Sequence, residues 1–117
     1  MRRLDPAAAR QARLRDIDEA IARIREDTKG GRKAFFASRV HQQAVILNLL
    51  IIGEAVMHID AAVLSAHREV PWKDVAGLRD IIAHKYFHLD LDMIWDVVSK
   101  NLAPLATAVA ELRRHAR

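Results

Sequence analysis

The stretch AVILNLLIIGEAVMHI, residues 44–59, constrains the fold of this chain more than any other. It is apolar almost all the way round a helix, so a helix built from it has no face that prefers water. A membrane span needs 18 or more consecutive apolar residues. Here Gln42, Gln43, Asn48 and Glu54 interrupt the run, so no membrane role is expected. The expectation is a central helix from about Ser38 to Asp60, buried on more than one side. A small domain rarely hides every face of such a helix, and a homodimer would cover the remainder. Gly53 permits close contact with a neighbouring helix, at some cost in propensity.

The flanking segments read as helices too. Asp5 can cap a first helix with Pro6 in its first turn. Leu14, Ile17, Ile21 and Ile24 then recur at three- and four-residue steps as one apolar stripe. DTKGG at 27–31 ends that helix, and Phe35 and Phe36 give the following linker something to bury. A short helix is expected over Asp60 to His67. EVPW at 69–72 is a break with a restart at Pro71, followed by a helix carrying Val75 to Tyr86 or so. Asp90 can cap the last segment, which Pro104 should kink or restart. Neither strand alternation nor an internal repeat occurs. The fold class is all-α: a compact up-and-down bundle of four to five helices, with residues 1–117 as a single domain. Trp72 and Trp95 are expected as core anchors, since no basic flank surrounds either.

A chain of 117 residues can hold a real but modest core. It contains no cysteine, which excludes disulfides, zinc–thiolate sites and cysteine nucleophiles. The first twenty residues carry no apolar signal core, which points to mature protein and a cytoplasmic setting. The net charge of +4 is uneven: residues 1–39 hold eleven Arg or Lys against six Asp or Glu. Such a segment suits RNA or an acidic partner, and equally a solvated arginine-rich helix.

RDIIAHKYFHLD, residues 79–90, carries the chemistry. Arg79 and Tyr86 lie about 20° apart around a continuous helix, with His84 about 140° from Arg79. One ideal helix does not gather all three. They converge if the helix ends near Tyr86, or if two subunits meet across an axis. Asp80 and His84 are four apart and can touch, and a carboxylate there could fix the imidazole tautomer. RNA cleavage without metal needs a proton moved by a group titrating near neutrality, and an arginine fork on the phosphoryl oxygens. Histidine suits the first task. One histidine per chain is thin for it, and two-fold symmetry would supply a second. A competing constellation, His84, His88 and Asp92, recurs at four-residue steps that suit a metal. Caps at Asp90 and Asp92 would break that register, so no metal site is expected. Asn48 and Glu54 are polar in the most apolar helix and must be hydrogen-bonded if buried. They read as register-setting groups at a dimer interface, or, for Glu54, as a neighbour of Arg79. His41, His58, His67 and His115 are scattered and read as structural or solvated.

Arg79, four residues, His84, one residue, Tyr86 is similar to the pattern of HepT-like proteins, all-helical domains of the HEPN superfamily, many of them ribonucleases. NLLIIGEAV at 48–56 resembles the family's long central helix, and VPWKDVAGLRDIIAHKYFHLDLDMIWDVV at 70–98 its most regular block. The resemblance implies a toxin acting on transfer RNA or other RNA as a homodimer, needing no cofactor. Arg79 and His84 match its two ribonuclease positions. Tyr86 matches the tyrosine to which a partner nucleotidyltransferase, an MntA-like antitoxin, adds AMP. Asp80 stands where family members often have asparagine. The alternative is a non-catalytic helical adaptor that is the substrate of such a nucleotidyltransferase.

Overall fold

The computed structural model describes residues 5–115. Arg2 and Arg3, part of the basic first segment, lie outside the described residues. The elements in chain order are α1 (Pro6–Thr28), α2 (Gly31–Phe36), α3 (Arg39–Met57), α4 (Ala61–Leu64), α5 (Trp72–Lys85), a 3-10 turn (Tyr86–His88), α6 (Leu91–Asp96), a π turn (Val97–Asn101) and α7 (Leu102–His115). No strand occurs among them. The four longer helices, α1, α3, α5 and α7, form the bundle expected from sequence, and α2, α4 and α6 are short additions.

The ends follow local chemistry. The Asp5 carboxylate accepts from the Ala8 N–H at 2.9 Å, and Pro6 occupies the first helical position, where its missing N–H costs nothing. Thr28 ends α1, and Gly31 takes φ 89°, a left-handed value that suits glycine. The linker expected after it is helical instead. Phe35 is 1% exposed and meets the Trp95 ring at 5.3 Å, while Arg32 lies 4.4 Å over the Phe36 ring and pairs with Asp92 at 2.7 Å. Tertiary packing of two aromatics has ordered a segment whose glycines discourage a helix. Ser38 caps α3, accepting from the His41 N–H.

α3 is the centre of the bundle, packed against α1 and α5, and α7 packs against α1 with Leu102 and Leu105 near Leu49 and Ile52 of α3. Val45, Leu49 and Ile52 share one core with the α1 stripe of Leu14, Ile17, Ile21 and Ile24, all at 2% exposure or less. Truncating one of these to alanine costs about 2–5 kcal/mol. α3 alone among the described helices has the length and hydropathy of a membrane span. Its interrupting polar groups are used inside the fold. The Gln42 amide donates to the carbonyls of Phe35 and Phe36, each at 3.1 Å, and joins α3 to α2.

α3 ends at Met57, three residues before the expected end. The bend that follows turns the chain into α4, capped by Asp60. The VPW break is real, but Pro71 stands just outside α5 and Trp72 begins it. The Trp72 indole N–H donates to the His67 carbonyl at 2.9 Å, which anchors the helix start. Glu69 pairs with His67 in that turn at 3.0 Å. Its own backbone N–H first, and His67 second, hold the Glu69 carboxyl below its ordinary value of 4.5. The stabilisation of that carboxylate is therefore present above pH 4.5 and fades as pH falls through the lowered value. Pro104, expected to kink or restart the last helix, lies in the first turn of α7; the backbone stays helical from α6 onward, and the distortion is a π turn just ahead of α7.

Gly53 sets the distance between α3 and α5. A Cβ there would stand 2.9 Å from the Arg79 backbone nitrogen and 3.1 Å from the Val75 carbonyl oxygen, both of them backbone atoms. Gly77, on α5, has nothing within 4 Å of such a Cβ. Gly77→Ala should raise stability by about 0.5–1 kcal/mol through helix propensity. Gly53→Ala should lower it by about 1–3 kcal/mol despite the same propensity gain, because two helices must separate. Chemical denaturation of the two variants checks the opposite signs.

Candidate active site

The backbone contact at Gly53 has a consequence one residue along. Glu54 projects at the edge of α3 beside Arg79, the residue whose backbone Gly53 touches. Glu54 Oε2 lies 3.0 Å from Arg79 Nε, and Glu54 Oε1 lies 3.2 Å from His58 Nε2, one helical turn on. Arg79 Nη1 donates to Asp80 Oδ1 at 3.3 Å. His84 Nδ1 lies 2.8 Å from the Asp80 backbone carbonyl oxygen. His58, Glu54, Arg79, Asp80 and His84 therefore form one linked series across α3 and α5.

The last contact determines the state of His84. A carbonyl oxygen only accepts, so Nδ1 carries the hydrogen and the neutral ring keeps its lone pair on Nε2. Sequence spacing expects the Asp80 carboxylate to perform this role. The structure corrects that: the carboxylate turns to Arg79, and the backbone carbonyl of the same residue holds the imidazole. The tautomer is thus set by helix geometry, whatever the side chain at position 80.

The side chains of Glu54 and Arg79 are each 43% exposed, so their ion pair adds only on the order of 0–1 kcal/mol to stability. Its main effect is on orientation. Arg79 lines a cleft of about 480 Å³ with Glu54, Leu50 and Ile51 of α3, Ala83 of α5, and Arg13 and Asp16 of α1. Arg13 brings a second cation into this cleft. Sequence reasoning misses it, because only packing of α1 on α3 places residue 13 opposite residue 79. His58 is likewise missed as a member, although its position four residues after Glu54 is a legible signal.

Tyr86 does not join this cleft. α5 ends at Lys85, and the 3-10 turn carries Tyr86 into a second cleft lined by Gln43, Ile46, Leu47, Leu50 and Ile82. Its ring meets Phe87 edge to face at 5.3 Å. Leu50 lines both clefts. Asn48 lies elsewhere: it is 5% exposed, and its amide donates to the Ala44 carbonyl at 2.9 Å. It faces the protomer's own core, so the expected role at a subunit face and a supporting role to Arg79 both fail for it. Among the described residues no three His, Asp or Glu side chains are grouped as metal ligands. The 3-10 turn breaks the helical register between His84 and His88, and Asp92 pairs with Arg32.

A small helical domain that presents a pinned arginine and a tautomer-fixed histidine on one helix is equipped for phosphodiester chemistry. The family model described as Ribonuclease HepT-like matches residues 17–112, and the chain belongs to that family. The Thermococcus cleftensis protein named "Probable ribonuclease HepT" is 36% identical over 102 residues, covering 86% of this chain and 93% of that one. A Methanocaldococcus jannaschii protein named "Gamma-glutamylcyclotransferase and putative RNase" is 37% identical over 100 residues, 85% of this chain, and the match spans only 45% of that longer protein. No solved structure matches the chain.

Because the His84 contact comes from the backbone, Asp80→Asn and Asp80→Ala should both keep the Nδ1–H tautomer. Long-range ¹H–¹⁵N NMR of the ring nitrogens reads this directly. A switch to Nε2–H in either variant would return the orienting role to the carboxylate.

Proposed function

We propose that this protein is an endoribonuclease that cleaves transfer RNA or other RNA without a metal cofactor. In the same reading it works as a homodimer and is the toxin half of a toxin–antitoxin pair, modified by an MntA-like nucleotidyltransferase. The observation that carries the reading is the linked series Glu54, Arg79, Asp80 and His84, with no partner on His84 Nε2 among the described residues. That nitrogen takes the proton of the 2′-hydroxyl as its oxygen attacks the adjacent phosphorus. The bond from phosphorus to the 5′-oxygen breaks, leaving a 2′,3′-cyclic phosphate, and the departing oxygen receives a proton from a second imidazole. Arg79 holds the charge that builds on the phosphoryl oxygens. Two-fold pairing of the chain provides the second imidazole.

Dimerisation is supported by the open side of α3. Val40 is 72% exposed, Leu47 55% and Met57 48%, and Phe87, in the turn after α5, is 89% exposed. Large apolar side chains left in water on one helix suit association. Tyr86 is the chain's only tyrosine and is 46% exposed, so a modifying enzyme can reach it. AMP on its oxygen would add bulk and negative charge beside the Arg79 cleft, where it would repel the RNA backbone.

His84→Ala should lower turnover about 100-fold or more with the fold intact, and Arg79→Ala by a similar order. Arg79→Lys should recover only part, since a point charge cannot reproduce a two-pronged grip. EDTA should leave the rate unchanged. Cleavage that persists in pure, folded His84→Ala protein would remove His84 from the reaction. If unmodified wild type cleaves no cellular RNA, the adaptor reading takes its place.

Sedimentation at micromolar protein should show a single species of twice the chain mass, and Leu47→Glu should shift it to monomer; a stable wild-type monomer would sink the dimer. Incubation with the nucleotidyltransferase, ATP and magnesium should add one or more AMP masses to wild type and none to Tyr86→Phe, as read by mass spectrometry.

A further inference from the structure

The two carboxylates on Arg79 are not equivalent. Glu54 approaches Nε at 3.0 Å from another helix, and its second oxygen is engaged by His58 at 3.2 Å. The backbone contact at Gly53, one residue away, leaves little freedom for the two helices to shift. Asp80 reaches Nη1 at 3.3 Å from the neighbouring position on the same helix, and its side chain is 64% exposed. Nη2 has no protein partner among the described residues. A phosphodiester binds a guanidinium through two N–H groups on one edge. On the terminal edge, Nη1 and Nη2, the only competitor is Asp80. Taking that edge displaces one long, solvated contact and leaves Glu54 in place.

We propose that Glu54 is the positioning residue of this site, holding Arg79 by Nε so that its terminal edge faces the cleft, while Asp80 occupies the phosphate position on Nη1 until RNA displaces it. His58 is the outer support, keeping the Glu54 carboxylate turned toward Arg79. This assignment rests on the ribonuclease reading for its substrate, an RNA phosphodiester, though not for the geometry of the grip. It gives opposite roles to two residues of like charge. Removing Glu54 loosens the arginine and harms the chemical step. Removing the charge of Asp80 relieves competition and strengthens substrate binding.

The test uses the full chain, with Glu54→Ala, Glu54→Gln and Asp80→Asn. The first readout is the Arg79 Nε–H resonance, identified by its loss in Arg79→Lys. Its position should move in Glu54→Ala, be largely restored in Glu54→Gln, which keeps an oxygen near Nε, and barely change in Asp80→Asn. The second is binding of a dinucleotide whose attacking 2′-hydroxyl is replaced by hydrogen, followed through the same resonance. Asp80→Asn should bind it about twofold to fivefold more tightly than wild type, the size expected for relief of one exposed charge contact. Glu54→Ala should bind it no more tightly than wild type. The third is RNA cleavage, where Glu54→Ala should lose about tenfold to hundredfold in kcat with KM changed much less, as for a displaced catalytic group. Glu54→Gln should recover most of that loss.

A resonance and a dinucleotide affinity that ignore Glu54 and Asp80, in a protein that cleaves RNA, overturn the inference and spare the ribonuclease reading. Both binding signatures in a protein that cleaves nothing overturn that reading and support the grip. Tighter binding by Glu54→Ala than by Asp80→Asn would reverse the two roles and overturn the proposal as stated.

Discussion

The contact between the α3 and α5 backbones at Gly53 is the constraint on which the site depends. Helix axes normally stand 8–10 Å apart because side chains separate them. Here a residue with no side chain lets α3 approach until the Arg79 amide and the Val75 carbonyl line the space a Cβ would fill. Glu54, the next residue on α3, is then beside the side chain of that same Arg79, and an ion pair of 3.0 Å forms between residues 25 positions apart in sequence. Any larger residue at position 53 would push the helices apart and carry Glu54 away from Arg79. The cost of a glycine in mid-helix is thus offset by the geometry it allows.

The charges around Arg79 follow from the same placement. Two carboxylates, Glu54 and Asp80, stand against one guanidinium, with Arg13 and Asp16 facing the same cleft. Half-exposed charges of this kind contribute little to folding, because water screens them and the side chains lose freedom. The stability of the domain comes instead from the apolar contacts of α3 with α1, where the side chains are almost completely buried. Folding energy and chemistry are in this way separated onto different sides of one helix. The buried side holds the bundle together, and the polar edge can vary without unfolding it.

The end of α5 is the second structural decision of consequence. Lys85 is the last α-helical residue, and three residues of 3-10 turn follow before Leu89 becomes extended. The change of helix type removes Tyr86 from the periodicity that would have placed it almost above Arg79. Its ring goes to a cleft on the α3 side, and Phe87 is left in solvent. The same turn separates His84 from His88. Arg79 and Tyr86 therefore line adjoining clefts that share Leu50.

Much of this was legible in the residues themselves. The apolar run at 44–59 required a central helix, the stripe of Leu14, Ile17, Ile21 and Ile24 required its partner, and Asp5, Ser38, Asp60 and Asp90 marked where helices begin. These are local effects of period and capping, which depend on neighbours a few positions away. The spacing of Arg79 and His84 singled out one segment as the candidate site for the same reason. What sequence could not determine was which atoms meet. That the Asp80 carbonyl, not its carboxylate, orients His84 depends on side-chain rotamers settled by the arginine next door. That Phe35 sits on a helix depends on Trp95, 60 positions away in sequence and 5.3 Å away, ring to ring, in the fold. That Asn48 faces the core while Glu54 reaches Arg79 depends on how α3 is rotated between two neighbours, which their packing alone decides.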